Sequence, residues 1–308
     1  MADIYDLIII GGGPAGVAAG IYGARKALKI LLLTKDFVGQ TGKTAWVENY
    51  PGFSEISGLD LMGKFKEHLK KFPVEIREGD QAISLIKKEN VFEIETVQRK
   101  RFEGRTVIIT SGRNPRLLGV PGEAEFSNKG VSYCSVCDAP LFRNKEVAIV
   151  GGGNAGFEAA IDLLPYATKI YILEFGSKII ADDITQQKIR ESGKTEIILS
   201  AQTLEIKGEK MVDKLVYQDL VSSKIKELKI QGVFVQIGSL PVTDFLKDLV
   251  IFNPWGEIVV DPKTGATKTP GLFAAGDVTD VKYKQIVIAA GEGVKAVLSA
   301  HQYLVNSK

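Results

Sequence analysis

Ile8-Ile9-Ile10-Gly11-Gly12-Gly13-Pro14-Ala15-Gly16, near the start of this 308-residue chain, recurs as Ala148-Ile149-Val150-Gly151-Gly152-Gly153-Asn154-Ala155-Gly156. Laying residue n on residue n+140 keeps Gly11, Gly12, Gly13, Ala15, Gly16, Ala19, Ile21, Lys29, Ile30 and Leu33 identical. The shared stretch reads as strand, tight turn, helix and second strand, which is one βαβ unit. Each apolar run before a glycine loop is short and β-branched, as a strand buried on both faces should be. In this context the first glycine permits the turn, the second lets the backbone approach a pyrophosphate and the third lets helix and strand pack closely. The helix start then offers unpaired N–H groups to an anion. The separation is far too long for a solenoid repeat. The reading is α/β, with two Rossmann-like dinucleotide-binding domains.

The rest of the chain fits around that pair. Phe92–Val97 alternates as a strand and is expected to pair with Arg105–Thr110, with Arg99-Lys100-Arg101 as the hairpin tip. Lys214–Tyr217 and Gly232–Gly238 are expected to play the same parts in the second unit. Gly256–Val260 and Leu272–Asp277 read as strands, and Val287–Leu304 as a closing helix. Asn114-Pro115 through Pro121, and Ser239-Leu240-Pro241, are Pro/Gly-marked joints that follow strands. The second unit is therefore expected inside the first. Residues 1–115 and 245–308 would form one domain, and 116–244 the other.

Composition narrows the function. Hydrophobic residues make up 45% and charged residues 25%, with Lys+Arg 39 against Asp+Glu 37. No long basic run appears, so nucleic acid is not expected as a partner. No apolar run approaches the ~20 residues of a membrane span, and the N-terminus reads as carrying no signal peptide. A cytoplasmic location is expected.

The two cysteines of the chain lie together in Tyr133-Cys134-Ser135-Val136-Cys137-Asp138, shortly before the second glycine loop. This spacing allows a disulfide to close and depresses the pKa of one thiol. A zinc site needs about four ligands, yet only His68 and His301 could join the cysteines, so no metal is expected. Two inert buried cysteines rarely fall at this spacing. In a cytosolic chain a disulfide is more often catalytic than structural. Asp138 could exchange protons with a thiolate or cap a helix. The two second strands end differently. Glu174 lies 23 residues after Gly151, where an acid can hold both ribose hydroxyls of NAD, whereas the first unit has Thr34 at that position. No arginine pair stands near Glu174 to neutralise a 2′-phosphate, which favours NADH over NADPH. Gly276-Asp277 follows the last apolar strand, and an acid there can accept hydrogen bonds from a polyol or terminate a turn.

Taken together the motifs closely resemble the low-molecular-weight thioredoxin reductase family over essentially the whole chain. Gly11–Gly16, Val47-Glu48-Asn49-Tyr50-Pro51-Gly52, Cys134–Asp138, Gly151–Gly156 and Gly271–Asp277 carry the resemblance. The second half is similar to the flavoprotein component of alkyl hydroperoxide reductase, through Leu173-Glu174-Phe175, Ala201-Gln202-Thr203, Val235-Gln236-Ile237-Gly238 and Tyr283-Lys284-Gln285-Ile286. The resemblance implies the three-layer ββα form of each domain and FAD in the first. Gly11, Gly13, Pro14, Ala15, Gly16, Thr34, Gln40, Asn49, Gly112, Gly276, Asp277, Lys284, Gln285 and Ile286 would hold the FAD. Asn49 and Gln40 would lie near the flavin, Asp277 on its ribityl chain and Gln285 at its pyrimidine edge.

In the second domain the resemblance implies NAD(P)H on Gly151, Gly153, Asn154, Ala155, Gly156, Glu158, Glu174 and Gly238, with Glu158 by the nicotinamide. It implies that Cys137 faces the flavin while Cys134 attacks a thioredoxin- or glutaredoxin-like partner, Asp138 handling the proton. A homodimer and a rotation of the second domain are also implied. Two features depart from the family. Glu174-Phe175-Gly176-Ser177 replaces the arginine-rich stretch of NADPH-type reductases, and Thr110-Ser111-Gly112 replaces the usual Ala-Thr-Gly turn. The thioredoxin-like module of the hydroperoxide reductase flavoprotein is expected, if needed, as a separate protein. The alternatives are an NADH oxidase or ferredoxin-coupled flavin reductase, an NADH-dependent reductase of a peroxiredoxin system, and a non-catalytic redox sensor.

Overall fold

A computed structural model describes residues 4–43, 47, 49–127, 129–133 and 135–307, apart from the side chains of residues 43, 136 and 137. In chain order the elements are β1 (Ile4–Ile10), α1 (Pro14–Arg25), β2 (Ile30–Thr34), α2 (Gly58–Leu69), β3 (Val74–Glu78), β4 (Ala82–Lys87), β5 (Phe92–Thr96), β6 (Arg101–Ile109) and β7 (Arg113–Pro115). There follow β8 (Val131–Ser132), α3 (Ser135–Asp138), β9 (Glu146–Val150), α4 (Asn154–Leu163), β10 (Lys169–Leu173), α5 (Asp183–Glu191) and β11 (Thr195–Ile198). The chain continues through β12 (Ala201–Gly208), β13 (Val212–Asp219), β14 (Lys224–Lys229), β15 (Gly232–Val235), β16 (Ser239–Pro241), β17 (Leu272–Ala274) and α6 (Ile286–Asn306).

The chain divides into two compact units, residues 1–114 with 240–308 and residues 115–239. The strands that carry the two crossings, β7 and β16, pair with each other. Residues 240–244, grouped on sequence with the inserted unit, fall in the first. Val242 donates its N–H to Gly112 O and packs on that unit's core.

In the first unit the strand order is β3-β2-β1-β6-β5-β4, with β17 also on β6. β1 runs parallel to both β2 and β6. Its side chains alternate between two cores, as the period of two requires. Ile8 and Ile10 point into one core with Leu85, Phe92 and Ile94 of β4 and β5; Leu7 and Ile9 point into another with Val17 of α1 and Ala296 of α6. The result is three layers: helices, parallel sheet, and a β-meander. β5 pairs antiparallel with residues 101–104 of β6 and not with 105–110 as expected. The turn is short, with Arg99 at a φ of +59°. The second half of β6 is taken by β1 and β17. Gly256–Val260 forms isolated bridges through Ile258 instead of a strand.

The second unit repeats the plan. Its sheet is all parallel, in the order β11-β10-β9-β15-β8, and β12-β13-β14 form a separate antiparallel sheet. Val147 and Ile149 of β9 pack with Phe157, Ala160 and Leu163 of α4. Ala148 and Val150 pack with Ile206, Leu215 and Tyr217 of the three-stranded sheet. The fold expected from the repeat, two Rossmann-like domains with the second inserted into the first, is the fold observed. Among the described residues no helix is long and apolar enough to cross a membrane.

Candidate functional site

β1 and β9 each deliver a glycine loop to the start of a helix, and the first and last glycines of the two loops meet corresponding backbone oxygens. Gly11 and Gly151 hold φ of +119° and +121°, a region that glycine enters readily. A Cβ on either would lie 2.2 Å from a backbone oxygen of the neighbouring strand end, Thr110 O or Gln236 O. A Cβ on Gly16 or Gly156 would lie 1.9 Å from Gly11 O or Gly151 O. Gly13 is the exception in the first loop, with nothing within 4 Å, and at Gly153 the nearest atoms are 3.9 Å away on Ile180. Neither residue caps its helix with a side chain. Each unit therefore presents the N–H groups of a first helical turn to an open, Cβ-free surface, the environment an anionic pyrophosphate requires.

The second glycines show how the units differ. A Cβ on Gly12 would meet Thr34 Oγ1 at 2.7 Å, and one on Gly152 would meet Glu174 Oε2 at 2.7 Å. Thr34 spends its hydroxyl on Asp36 O at 2.6 Å. The Glu174 carboxylate accepts Gly152 N–H at 2.6 Å and Gly176 N–H at 2.7 Å. At the end of the second strand the first unit thus sets a hydroxyl beside its loop where the second sets a backbone-held carboxylate.

A cavity of about 430 Å³ opens in the first unit above β1 and β6. Among the residues expected to hold FAD, Gly11, Gly13, Pro14, Ala15, Thr34, Gln40, Gly112, Gly276, Asp277, Lys284, Gln285 and Ile286 line it. Gly16 and Asn49 do not. Gly16 is buried beneath the loop, and Asn49 Nδ2 reaches the lining by donating to Gln285 Oε1 at 3.2 Å. Gln40 Nε2 donates to Arg113 O at 3.2 Å. The uncapped helix, the open face of Gly13 and this polar lining fit a dinucleotide.

Sequence reading missed the charged cluster at one end of the cavity. Arg113 and Lys284, both in the lining, meet Glu257 Oε1 at 2.7 and 3.1 Å, and Asn253 donates to Glu257 Oε2 at 2.7 Å. Burial pushes the Glu257 carboxyl up, but the hydrogen bonds from Asn253, Lys284 and Arg113 outweigh it and hold it below the usual carboxylate range. Asp277 goes the other way. Burial raises its carboxyl, and the Lys284 and Arg113 charges recover only part of that. Behind it, buried Glu292 of α6 accepts Gly276 N–H at 3.1 Å. Only the position of Arg113, directly after Gly112, hinted at this cluster.

In the second unit Asn154 Oδ1 accepts the N–H of Asp182 at 2.8 Å. Glu158 follows one turn into α4, its carboxyl raised by partial burial and by the charges of Asp162 and Asp182. Gly238 has a φ of +92° and accepts Arg116 N–H at its carbonyl. Cys134 and the Cys137 side chain lie outside the described residues, so their geometry carries nothing here. Their neighbours are placed: Ser135 and Asp138 bound α3, Ser135 is buried, and Asp138 does not cap the turn of residues 139–142 with its side chain. Among the described residues no three His, Cys, Asp or Glu side chains gather as a metal site.

Residues 5–293 match the model of the pyridine nucleotide-disulphide oxidoreductases. The chain belongs to that family. Its chemistry is that of a flavin and a pyridine nucleotide. Curated relatives include a component of the Pseudomonas aeruginosa alkyl hydroperoxide reductase, 45% identical over 99% of this chain and 59% of its own length, and a Bacillus subtilis protein named NADH dehydrogenase, 42% identical over 98% and 59%. The chain therefore spans about three-fifths of the length of these relatives. Among solved structures, Lactococcus lactis thioredoxin reductase is 36% identical with a TM-score of 0.90, covering 98% of this chain and 99% of that one. The T. acidophilum thioredoxin reductase is 38% identical with a TM-score of 0.88 over 98% and 99%.

Proposed function

We propose that this family member is a disulfide reductase that binds FAD in its first unit and NADH on its second, and that it works through Cys134 and Cys137. The observation that carries this reading is the matched pair of glycine loops, with a polar cavity beside one and a fixed carboxylate beside the other. Gly11, Gly13 and the start of α1 hold the FAD pyrophosphate, and Gly16 lets α1 approach β1. Thr34, Gln40, Gly112, Gly276, Asp277, Lys284, Gln285 and Ile286, which line the cavity, and Asn49 through its bond to Gln285 would hold the rest of the FAD. Bound there, FAD would supply two-electron transfer between a reduced nicotinamide and a disulfide. On the second unit, Gly151, Gly153, Asn154, Ala155, Gly156 and Gly238 would bind the nucleotide. Glu174 holds the adenosine ribose and disfavours a 2′-phosphate, and Glu158 lies toward the nicotinamide.

The thiol pair then acts by exchange. The Cys134 thiolate attacks a disulfide of the partner and one partner thiolate leaves. The Cys137 thiolate then attacks Cys134 in the mixed disulfide, so the pair is oxidised and the partner gains two thiols. Asp138, next to Cys137, takes and returns the thiol proton. The partner we propose is a small thioredoxin- or glutaredoxin-like protein. The relatives named for alkyl hydroperoxide reductase favour a second acceptor, a peroxiredoxin system reached through such a protein. A cytoplasmic homodimer fits the reading. Replacement of Cys137 by Ser tests it. The variant should lose partner reduction while NADH still bleaches its flavin. Partner reduction at the parental rate would refute the role of the pair.

A further inference from the structure

Ile180 is 72% exposed, although both of its neighbours are anchored. It belongs to the segment 174–182 between β10 and α5, which folds back over the second glycine loop. At one end the Glu174 carboxylate accepts the N–H groups of Gly152 and Gly176, and Gly176 O accepts Ser200 N–H at 2.9 Å. At the other end Asn154 Oδ1 accepts Asp182 N–H at 2.8 Å, and Gln186 Nε2 donates to Ala181 O at 2.7 Å. Ile179 and Ala181 pack into the core that Phe157 and Ala160 of α4 share with β9. Ile180, between them, is turned out, and its N–H points to Gly152 O at 3.4 Å. Its side chain returns over the loop, where Cγ1 and Cδ1 lie 3.9 Å from the place a Cβ on Gly153 would take. A ligand resting on Gly153 therefore meets Ile180. The first unit has no such cover, since nothing lies within 4 Å of a Cβ on Gly13. The offset of 140 that matches the two loops puts Ile180 in the place of Gln40, which lines the first unit's cavity, and Asn154 in the place of Pro14, whose ring has no acceptor.

We propose that Ile180 is a binding residue for the adenosine diphosphate half of NADH, and that Asn154 is a positioning residue that holds it over Gly153 through Asp182. This deepens the reading of the second unit as the NADH site and rests on it. Glu174, beside Gly152, takes the adenosine ribose in that reading, so the neighbouring Gly153 and its cover belong to the same half of the dinucleotide. Exposed apolar side chains are ordinary when scattered singly. Ile180 differs because it is fixed against a face kept free of Cβ. Covering it removes apolar surface from water, which favours the complex in proportion to the area lost. The tethers keep the ordering cost of that contact small, because the segment is already in place. The amide oxygen of Asn154 is engaged by Asp182, so its side chain acts on the nucleotide through Ile180, while its backbone N–H stays among the unpaired groups of the helix start.

The test uses the flavin-loaded full chain with two probes. ADP-ribose, which lacks the nicotinamide, is titrated calorimetrically. NADH is followed by anaerobic flavin bleaching, which separates the half-saturating concentration from the limiting rate. Ile180→Ala should weaken ADP-ribose binding about tenfold and raise half-saturating NADH by about the same factor, while the limiting bleaching rate stays parental. Ile180→Leu keeps the apolar bulk and should stay within about threefold of the parent. Asn154→Ala should weaken ADP-ribose in the parent, but in the Ile180→Ala background it should add no more than about twofold, because the tether then holds nothing. Parental ADP-ribose binding in Ile180→Ala would overturn the proposal. So would a fall in limiting rate with half-saturation unchanged, and independent, multiplying losses from the two substitutions would remove Asn154 from it. If the parent neither binds ADP-ribose nor is bleached by NADH, the reading of the second unit fails, and the roles of Ile180 and Asn154 fall with it.

Discussion

Replacing Glu174 by Ser should weaken NADH binding and reverse part of the discrimination against NADPH. In the structure both carboxylate oxygens are already oriented, one by Gly152 N–H at 2.6 Å and the other by Gly176 N–H at 2.7 Å. A ribose diol arriving there meets an acceptor that needs no rearrangement. Hydrogen bonds to a charged group contribute about 1.5–3 kcal/mol, so the variant should bind NADH about 10- to 150-fold more weakly. For NADPH the same carboxylate is a like charge. At a separation near 4 Å and an effective dielectric of about 20, each unit pair costs at most about 4 kcal/mol, less once salt screens it. The loss of that repulsion offsets the loss of the acceptor, so NADPH binding should hold steady or improve. Dissociation constants from anaerobic flavin bleaching, measured for each nucleotide at one fixed ionic strength, give the selectivity ratio directly. NADH affinity within twofold of the parent, or an equal loss for both nucleotides, would refute the assignment of Glu174 to the ribose. Gly152→Ala serves as a companion. Its Cβ would press on Glu174 Oε2 from 2.7 Å, and it should shift selectivity in the same direction.

Gly16→Ala and Gly156→Ala place a Cβ 1.9 Å from Gly11 O and Gly151 O, an overlap that costs about 3 kcal/mol or more. The first should purify without flavin, whereas the second should keep flavin but resist bleaching by NADH. Absorbance spectra before and after NADH distinguish the two. Glu257→Gln leaves Arg113 and Lys284 facing each other without the negative charge they share and turns an amide NH2 group toward Asn253 Nδ2, which donates to that position in the parent, and urea denaturation should show a loss of roughly 1–3 kcal/mol together with weaker FAD retention. Asp277 gives a pH signature. Because the fold raises its carboxyl, the folded chain binds that proton more tightly than the unfolded one, and stability falls as pH rises through about 4 and above. Flavin-free Asp277→Asn should therefore melt higher than the flavin-free parent at neutral pH, the gain shrinking as pH falls toward about 4 and vanishing below it, while its FAD affinity drops. An equal gain at every pH would contradict this.

What could be read from the sequence was local. The glycine loops are legible because the approach of Gly16 to Gly11 and of Gly156 to Gly151 falls within one βαβ unit, and Glu174 because strand-end chemistry follows the loop at a fixed spacing. Strand pairing was less so. β6 has partners on both sides, and the alternation of residues 92–97 does not say which half of β6 it meets; the short turn at Arg99 decides that. Gly256–Val260 has the composition of a strand but is held by bridges through Ile258 to Phe252 and Thr279. Least legible were contacts that close over the insertion. Arg113 and Glu257 are 144 positions apart, and no local pattern joins them.

The central claim is that reducing equivalents pass from NADH to the cysteine pair in a chain that carries FAD. Anaerobic titration of the flavin-loaded protein with NADH, with thiols counted after denaturation in alkylating reagent, tests it most directly. The account predicts that the chain's two cysteines become alkylatable as NADH is added, and that Cys137→Ser bleaches without gaining further thiols. Complete bleaching of the parent with no new thiols would contradict it.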